Sequence, residues 1–180
     1  MRIIAGTHKG RRLAVPKNLP VRPTTDRARE ALFSILNHKF DISDCRILDL
    51  YSGTGSISYE FCSRGANDVT SVDKHTACVR YINQTAKELD MEIKVYKADS
   101  LHYLESCHGS YDIIFADPPY AEAQEAFKKL MEKISDRLLL TSEGLFVLEH
   151  GEQLDFSGEP FFVEQRKYGG CVFSFFSTNS

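Results

Sequence analysis

The sequence predicts an α/β fold: a mostly parallel, doubly wound sheet with helices on both faces, an antiparallel hairpin at its C-terminal end, and a small N-terminal hairpin-and-helix arm. Three observations lead there. From residue 46 onward, short apolar runs alternate with longer segments whose apolar residues recur at helical spacing. Such βα alternation gives a parallel sheet covered on both sides. The run FFVEQRKYGGCVFSFF (161–176) places Gly169-Gly170 between two apolar halves, the composition of a tight hairpin. Ahead of residue 40 the chain is basic and broken by glycine and proline, so residues 1–40 are read as an arm appended to a core domain, 41–180. At 180 residues the whole suits one compact unit.

Each element follows from its own residues. Segment 2–15, RIIAGTHKGRRLAV, has short β-like runs around Gly6 and Gly10 and predicts a small hairpin. Pro23 then breaks the chain, and Thr25-Asp26 start a helix with Ala28, Leu32, Ile35 and Leu36 on one face. RILDLYS (46–52) is the first strand of the sheet, and GSISYEFCSRGA its helix, closed by Gly65. VTSVDK (69–74) is the second strand, followed by a helix over 76–90 with Cys78, Ile82, Ala86 and Leu89 inward. IKVYKAD (93–99) and LHYLESC give a third strand and a short helix. YDIIFAD (111–117) is the fourth strand. A helix over 122–140 puts Phe127, Leu130, Met131, Ile134 and Leu138 on its inner face, and GLFVLEH (144–150) is the fifth strand.

Composition narrows the function classes. No apolar run is long enough to span a bilayer, and the first residues lack the apolar centre of a signal peptide, so a cytoplasmic protein is expected. The five cysteines are odd in number, form no CxxC pair and have no histidine at finger spacing. Reduced, packed thiols and no metal are the expectation. No cysteine follows a proline, which disfavours the covalent route of pyrimidine-C5 methyltransferases. The net charge of −3 hides an asymmetry: residues 1–30 carry +6, including Lys9, Arg11 and Arg12, and the remainder −9. A basic arm on an acidic body points to a polyanionic partner, nucleic acid first.

Four predicted strands end at or beside an acid: Asp49, Asp73, Asp99 and Asp117. Any one could be a helix cap. Together they line the edge where open parallel sheets bind ligands. The loop DLYSGTGSIS (49–58) has Gly53 and Gly55 before a helix, which lets backbone approach a ligand closely. Ser58 stands where a dinucleotide fingerprint wants its third glycine, so a phosphate-free cofactor such as S-adenosylmethionine fits better. Asp73 suits ribose hydroxyls, and Asp99 an adenine amine. At the fourth strand end, Asp117-Pro118-Pro119-Tyr120 has two residues without an N–H and forms a rigid acceptor corner. It fits an exocyclic NH2 of a nucleobase, with Tyr120 stacking on the ring.

The motifs LDLYSGTG (48–55), Val72-Asp73 and Asp117-Pro118-Pro119-Tyr120 resemble those of class I, Rossmann-like S-adenosylmethionine-dependent amino-methyltransferases, which act on adenine N6, cytosine N4 or guanine N2. RIIAG (2–6), GRRL (10–13), RPTTDRARE (22–30) and KYGG (167–170) resemble the bacterial 16S rRNA guanine-N2 methyltransferase family over essentially the whole chain. That resemblance implies methylation of one guanine N2 in small-subunit rRNA, presented by a ribosomal subunit or assembly intermediate, by a protein expected to be a monomer. It gives Asp49, Gly53 and Gly55 to the methionine end of the cofactor, Asp73 to the ribose and Asp99 to the adenine. Asp117, Pro118 and Tyr120 go to the target base, and Arg22, Thr24, Thr25 and Arg27 close the site on the RNA side. Two alternatives stay open: an adenine-N6 methyltransferase acting on DNA or RNA, and a non-catalytic ribosome-assembly factor. A protein-glutamine methyltransferase is disfavoured, since that group carries Asn where this chain has Asp117.

Overall fold

The computed structural model describes residues 1–21 and 24–178. Its sheet contains β1 (Arg46–Leu50), β2 (Asp68–Asp73), β3 (Ile93–Lys97), β4 (Tyr111–Ala116), β5 (Leu140–Gly151), β6 (Phe162–Tyr168) and β7 (Cys171–Phe176). Their order is β3-β2-β1-β4-β5-β7-β6. The first five are parallel, and β7 runs antiparallel to both β5 and β6. Five helices cover the faces: α1 (Asp26–Lys39), α2 (Ser56–Ser63), α3 (Thr76–Glu88), α4 (Ser100–Ser106) and α5 (Ala123–Asp136). The predicted mixed sheet with its antiparallel C-terminal hairpin is therefore present.

Alternation along each strand splits the core in two. Leu48, Ile114, Phe146 and Phe176 pack with α5 through Phe127 and Leu130 on one face. Their chain neighbours Ile47, Ile113, Val147 and Phe175 pack on the other with Leu32, Phe33 and Leu36 of α1 and Phe61 of α2. A period of two sends successive side chains to opposite faces. All six residues of β7 are buried, whereas edge strand β3 is half exposed, which matches their different sequence patterns.

Two boundaries differ from the periodicity by four residues each: the end of α5, expected at residue 140, and the start of β5, expected at residue 144. Helix α5 stops at Asp136, and Leu138 is 80% exposed with a left-handed φ of 52°. Leu139 and Leu140 are buried instead, and Leu139 N donates to Ile134 O at 2.9 Å. Within three successive leucines, helical spacing cannot tell which one turns the chain; the start of β5 at Leu140 decides it.

The N-terminal hairpin is minimal, a single antiparallel bridge between Arg2 and Arg12, with Ile3 N donating to Arg11 O at 2.9 Å. It is held from inside. Glu60 of α2 is fully buried and accepts from Ile4 N at 2.8 Å, Ala5 N at 3.0 Å and the Arg64 guanidinium at 2.9 Å. Ser63 Oγ donates to Ala5 O at 2.6 Å and accepts from His8 N at 3.0 Å. Buried Arg29 of α1 donates to Arg2 O at 2.5 Å and to Asp26 at 2.7 Å. Burial lowers its pKa, partly offset by Asp26 and Glu60.

Glu60→Ala would strand Arg64 and two backbone donors in the interior. Breaking one partner of a buried ion pair costs about 3–5 kcal/mol. Urea unfolding should show a loss of that order, and amide exchange at Ile4 and Ala5 should rise more than exchange in β4.

Candidate active site

The site is assembled at the C-terminal edge of the parallel strands, where β1 lies between β2, to which the chain runs next, and β4, to which it returns after β3. After β1 the loop 51–55 is tacked to β2. Ser52 N donates to Val72 O at 3.0 Å, and Val72 N returns a bond to Ser52 Oγ at 2.9 Å. Gly53 has φ 54° and Gly55 φ 77°, the left-handed region that a side chain resists. A Cβ on Gly53 would stand 3.1 Å from Val21, and one on Gly55 would stand 2.8 Å from the Tyr59 ring. The loop is thus pressed between α2 and the arm.

Two acids are locked by this loop. Asp73, at the end of β2, accepts from Gly53 N at 2.9 Å through one oxygen and from His75 N at 2.8 Å through the other. Asp49 is fully buried and accepts from Ser58 Oγ at 2.6 Å; Ser58 Oγ in turn lies 2.5 Å from Ser71 Oγ. Burial pushes the Asp49 carboxyl up to about 7, against the Ser58 hydrogen bonds that pull it down and with a further rise from Asp73. Asp99 caps α4, accepting from Leu101 N at 3.0 Å and His102 N at 3.3 Å through one oxygen.

At the end of β4 the ladder continues one residue further, with Asp117 N donating to Leu50 O at 3.4 Å. Pro118 is buried and Pro119 exposed. The Pro119 carbonyl accepts from Glu122 N at 2.8 Å and so is spent on a turn. The acceptor corner therefore consists of the Asp117 carboxylate and the Pro118 carbonyl, narrower than the sequence suggests.

These pieces enclose one cavity of about 330 Å³, the size range of small-molecule sites. Asp49, Gly53, Asp73, Asp99, Asp117, Pro118 and Tyr120 all line it. Gly55 sits behind the loop, and its part is the turn into α2. Of the arm residues, Thr24 lines the cavity, together with Pro20 and Val21. Thr25 does not; it caps α1, accepting from Ala28 N at 3.2 Å. Lys9, Arg11, Arg12 and Arg27 are exposed outside the cavity, and among the described residues no carboxylate pairs with them. Arg22 lies outside the described residues.

Several lining residues escaped the sequence: Tyr51, Lys74, His75 and Glu149. Glu149 carried a signal, an acid at the end of the apolar run GLFVLE, and it makes a fifth strand-end acid beside the four that stand out in the sequence. The arm contacts of Pro20 and Val21 had no local signal, since they depend on tertiary docking.

A protein-family model described as conserved hypothetical protein 95 matches residues 1–177. The chain belongs to that family. Family membership spans arm and sheet together. The Bacillus subtilis protein YlbH, provisionally named an rRNA methyltransferase, is 32% identical over 160 residues, covering 86% of this chain and 85% of its own. Ribosomal RNA small subunit methyltransferase D of Escherichia coli K12 is 30% identical over 150 residues, covering 83% and 74%. Among solved structures, hypothetical protein TTHA0928 of Thermus thermophilus superposes with a TM-score of 0.86 at 26% identity, over 99% of each chain.

The buried Asp49 gives this member of conserved hypothetical protein 95 a pH signature. Its folded pKa lies above the roughly 3.9 of an unfolded aspartate, so the native state keeps a proton that the unfolded chain gives up. Stability contributed by that proton is full below about pH 4, falls as pH rises toward 7 and then levels off. Asp49→Asn should remove this slope, matching the parent near pH 4 and exceeding it by at most about 4 kcal/mol at pH 8. Unfolding midpoints of the ligand-free protein across that range are the check.

Proposed function

We propose that this protein methylates the exocyclic N2 amine of one guanine in small-subunit (16S) rRNA, using S-adenosylmethionine. The observation that carries the reading is the placement of the glycine loop after β1 and the Asp117 corner after β4 at adjacent strand ends, lining one cavity. The names of the rRNA methyltransferases among its relatives support the same substrate class. The exposed basic side chains of the arm, Lys9, Arg11 and Arg12, supply the phosphate-binding surface that an rRNA substrate needs.

The residues present suit the cofactor. The cavity wall is rich in carboxylates, which would repel a dinucleotide's phosphates but welcome an ammonium and ribose hydroxyls. Asp73 lines the cavity and accepts one backbone bond on each oxygen, which suits its carboxylate to a ribose diol. Asp49 and the Gly53 backbone face the amino-acid end, and Asp99 the adenine. Bound there, S-adenosylmethionine supplies an electrophilic methyl group on a positively charged sulfur.

The chain's own work is on the amine. An aromatic NH2 is a weak nucleophile because its lone pair is delocalised into the ring. Acceptors at Asp117 and Pro118 hold its two N–H bonds and turn the lone pair out of the ring plane. Tyr120 gives the base a stacking surface worth roughly 1–3 kcal/mol. After methylation the nitrogen is acidic, and Asp117 or water takes its proton. Most of the rate comes from placing two reactants together, which can lower a barrier by roughly 7–11 kcal/mol. We also infer a cytoplasmic monomer that meets its guanine within a subunit or assembly intermediate; no helix among the described residues is long and apolar enough to cross a membrane.

Asp117→Ala should lower turnover by at least about a hundredfold while the calorimetric Kd for S-adenosylmethionine stays within a factor of about three. Equal loss of both would make Asp117 structural. Undermodified small subunits, labelled cofactor and nucleoside mass analysis read the product; methyl on adenine would overturn the guanine assignment. Replacing Arg11 and Arg12 by Gln should weaken subunit binding and reduce the slope of log K against log salt by about 1–2. An unchanged slope would move the RNA surface elsewhere.

A further inference from the structure

The run Lys167-Tyr168-Gly169-Gly170 closes the last hairpin, and no step at the Asp117 corner uses it. We propose that this turn is a second RNA-docking element, which holds the rRNA strand beside the target guanine. This rests on the rRNA-methyltransferase reading above and adds a contact surface on the side of the sheet away from the basic hairpin of the arm.

The register brings the turn to the active edge. β7 runs antiparallel to β5, so its first residue, Cys171, pairs with Gly151 at the C-terminal end of β5. Tyr168 pairs with Cys171 on the far side. Two residues further in, Glu149 of the cavity wall stands opposite Phe173, and Phe173 opposite Arg166. The Asp117 corner and the turn therefore leave the sheet at the same edge. β5 and β7 separate β4 from β6, a span of about 14 Å from the usual strand spacing. A short single-stranded segment can bridge it. Tyr120 and Tyr168 lean on the same hydrophobic cluster, so both rings stand on one face of the sheet.

The turn is open and its parts suit a nucleic acid. Gly169 has φ 55° and Gly170 φ 91°, and a Cβ on either would meet nothing within 4 Å among the described residues. The two glycines thus serve a tight left-handed turn that follows the strand twist, not a packing contact. Arg166 and Lys167 are exposed. Arg166 shares its charge with Glu164 at 2.5 Å, whereas Lys167 has Asp155 as a more distant neighbour. Tyr168 is half-buried, with its ring centroid 6.2 Å from that of Phe173, which steadies the ring without covering it. A cation for phosphate and a steadied ring for a base are what single-strand binders use. The turn lacks the broad apolar patch that marks a protein partner.

Charge gives the reason for a second contact. Residues 31–180 carry −9, and acids line the cavity, so an RNA strand drawn to Asp117 is repelled by the edge it must cross. On the β1 side the arm, fastened to α2, supplies cations. On the β6 side this turn supplies them. The target base is held between the two.

The test uses the full chain and undermodified small subunits. Lys167 is replaced by the photocrosslinker p-benzoylphenylalanine, and irradiation should join the turn to 16S rRNA. A crosslink to ribosomal protein alone, or none above that of the same crosslinker at exposed Glu132 of α5, would overturn the assignment. Arg166→Gln combined with Lys167→Gln should raise the KM for subunits about tenfold at unchanged kcat and reduce the slope of log K against log salt by about 1–2. Tyr168→Leu, which keeps an apolar contact with Phe173 but gives no stacking surface, should raise KM about tenfold. Melting temperatures and the calorimetric Kd for S-adenosylmethionine should stay near those of the parent. Unchanged KM and salt slope in these variants would overturn the assignment. Binding and crosslinking need no methyl transfer, so methyl on adenine would overturn the guanine reading while the crosslink still decides this one.

Discussion

Parallel strands all end at the same edge, and that geometric constraint governs everything else in this molecule. β1, β2, β4 and β5 each deliver a carboxylate to one cavity: Asp49, Asp73, Asp117 and Glu149. With Asp99 they make five acids around about 330 Å³, which repel one another and need relief. Asp73 finds it in two backbone N–H groups, Asp49 in Ser58 and a retained proton, and Glu149 in Thr24. The same concentration of acceptors makes the cavity selective for ligands that bring donors and positive charge.

The arm completes the wall that the sheet leaves open. Its inner surface is fastened by polar bonds to α2, where Glu60 and Ser63 hold residues 4–8. Its helix α1 shares a hydrophobic cluster with β1, β4 and β7. Between these two anchors, Pro20, Val21 and Thr24 roof the cofactor loop. Charge and function are thereby divided between two sides of one segment. The outer side carries exposed cations suited to phosphate, and the inner side carries the contacts that shape the pocket.

Most of the sheet was legible because strand patterns are local. Buried runs such as YDIIFA and CVFSFF announce themselves, and alternation of βα units dictates the parallel order. Asp73 and Asp117 were legible for a related reason: an acid closing an apolar run stands out. Other features depend on distant partners. That Glu60 is a buried clasp cannot be read from an eight-residue helix segment, because its partners lie 55 and 56 residues away. Thr24 and Glu149 meet across 125 residues. The end of α5 was misplaced by four residues because three leucines satisfy both a helix face and the start of a strand. Thr25 belongs to a helix cap rather than the cavity, a role its position before Asp26 already indicated.

The insertion of β7 between β5 and β6 has a consequence for how the chain acquires its shape. Synthesised in order, β6 has no neighbour in the sheet until the strand after it exists. Its place in the sheet is created only when β7 pairs with β5. Until that moment Phe146, Val147 and Leu148 form a bare, sticky margin, and Phe173, Phe175 and Phe176 have no shelter. Such half-built sheets invite pairing with the wrong chain. The margin left bare longest is therefore the one closed by this last docking event, at the opposite side of β5 from the strands that carry the cofactor loop.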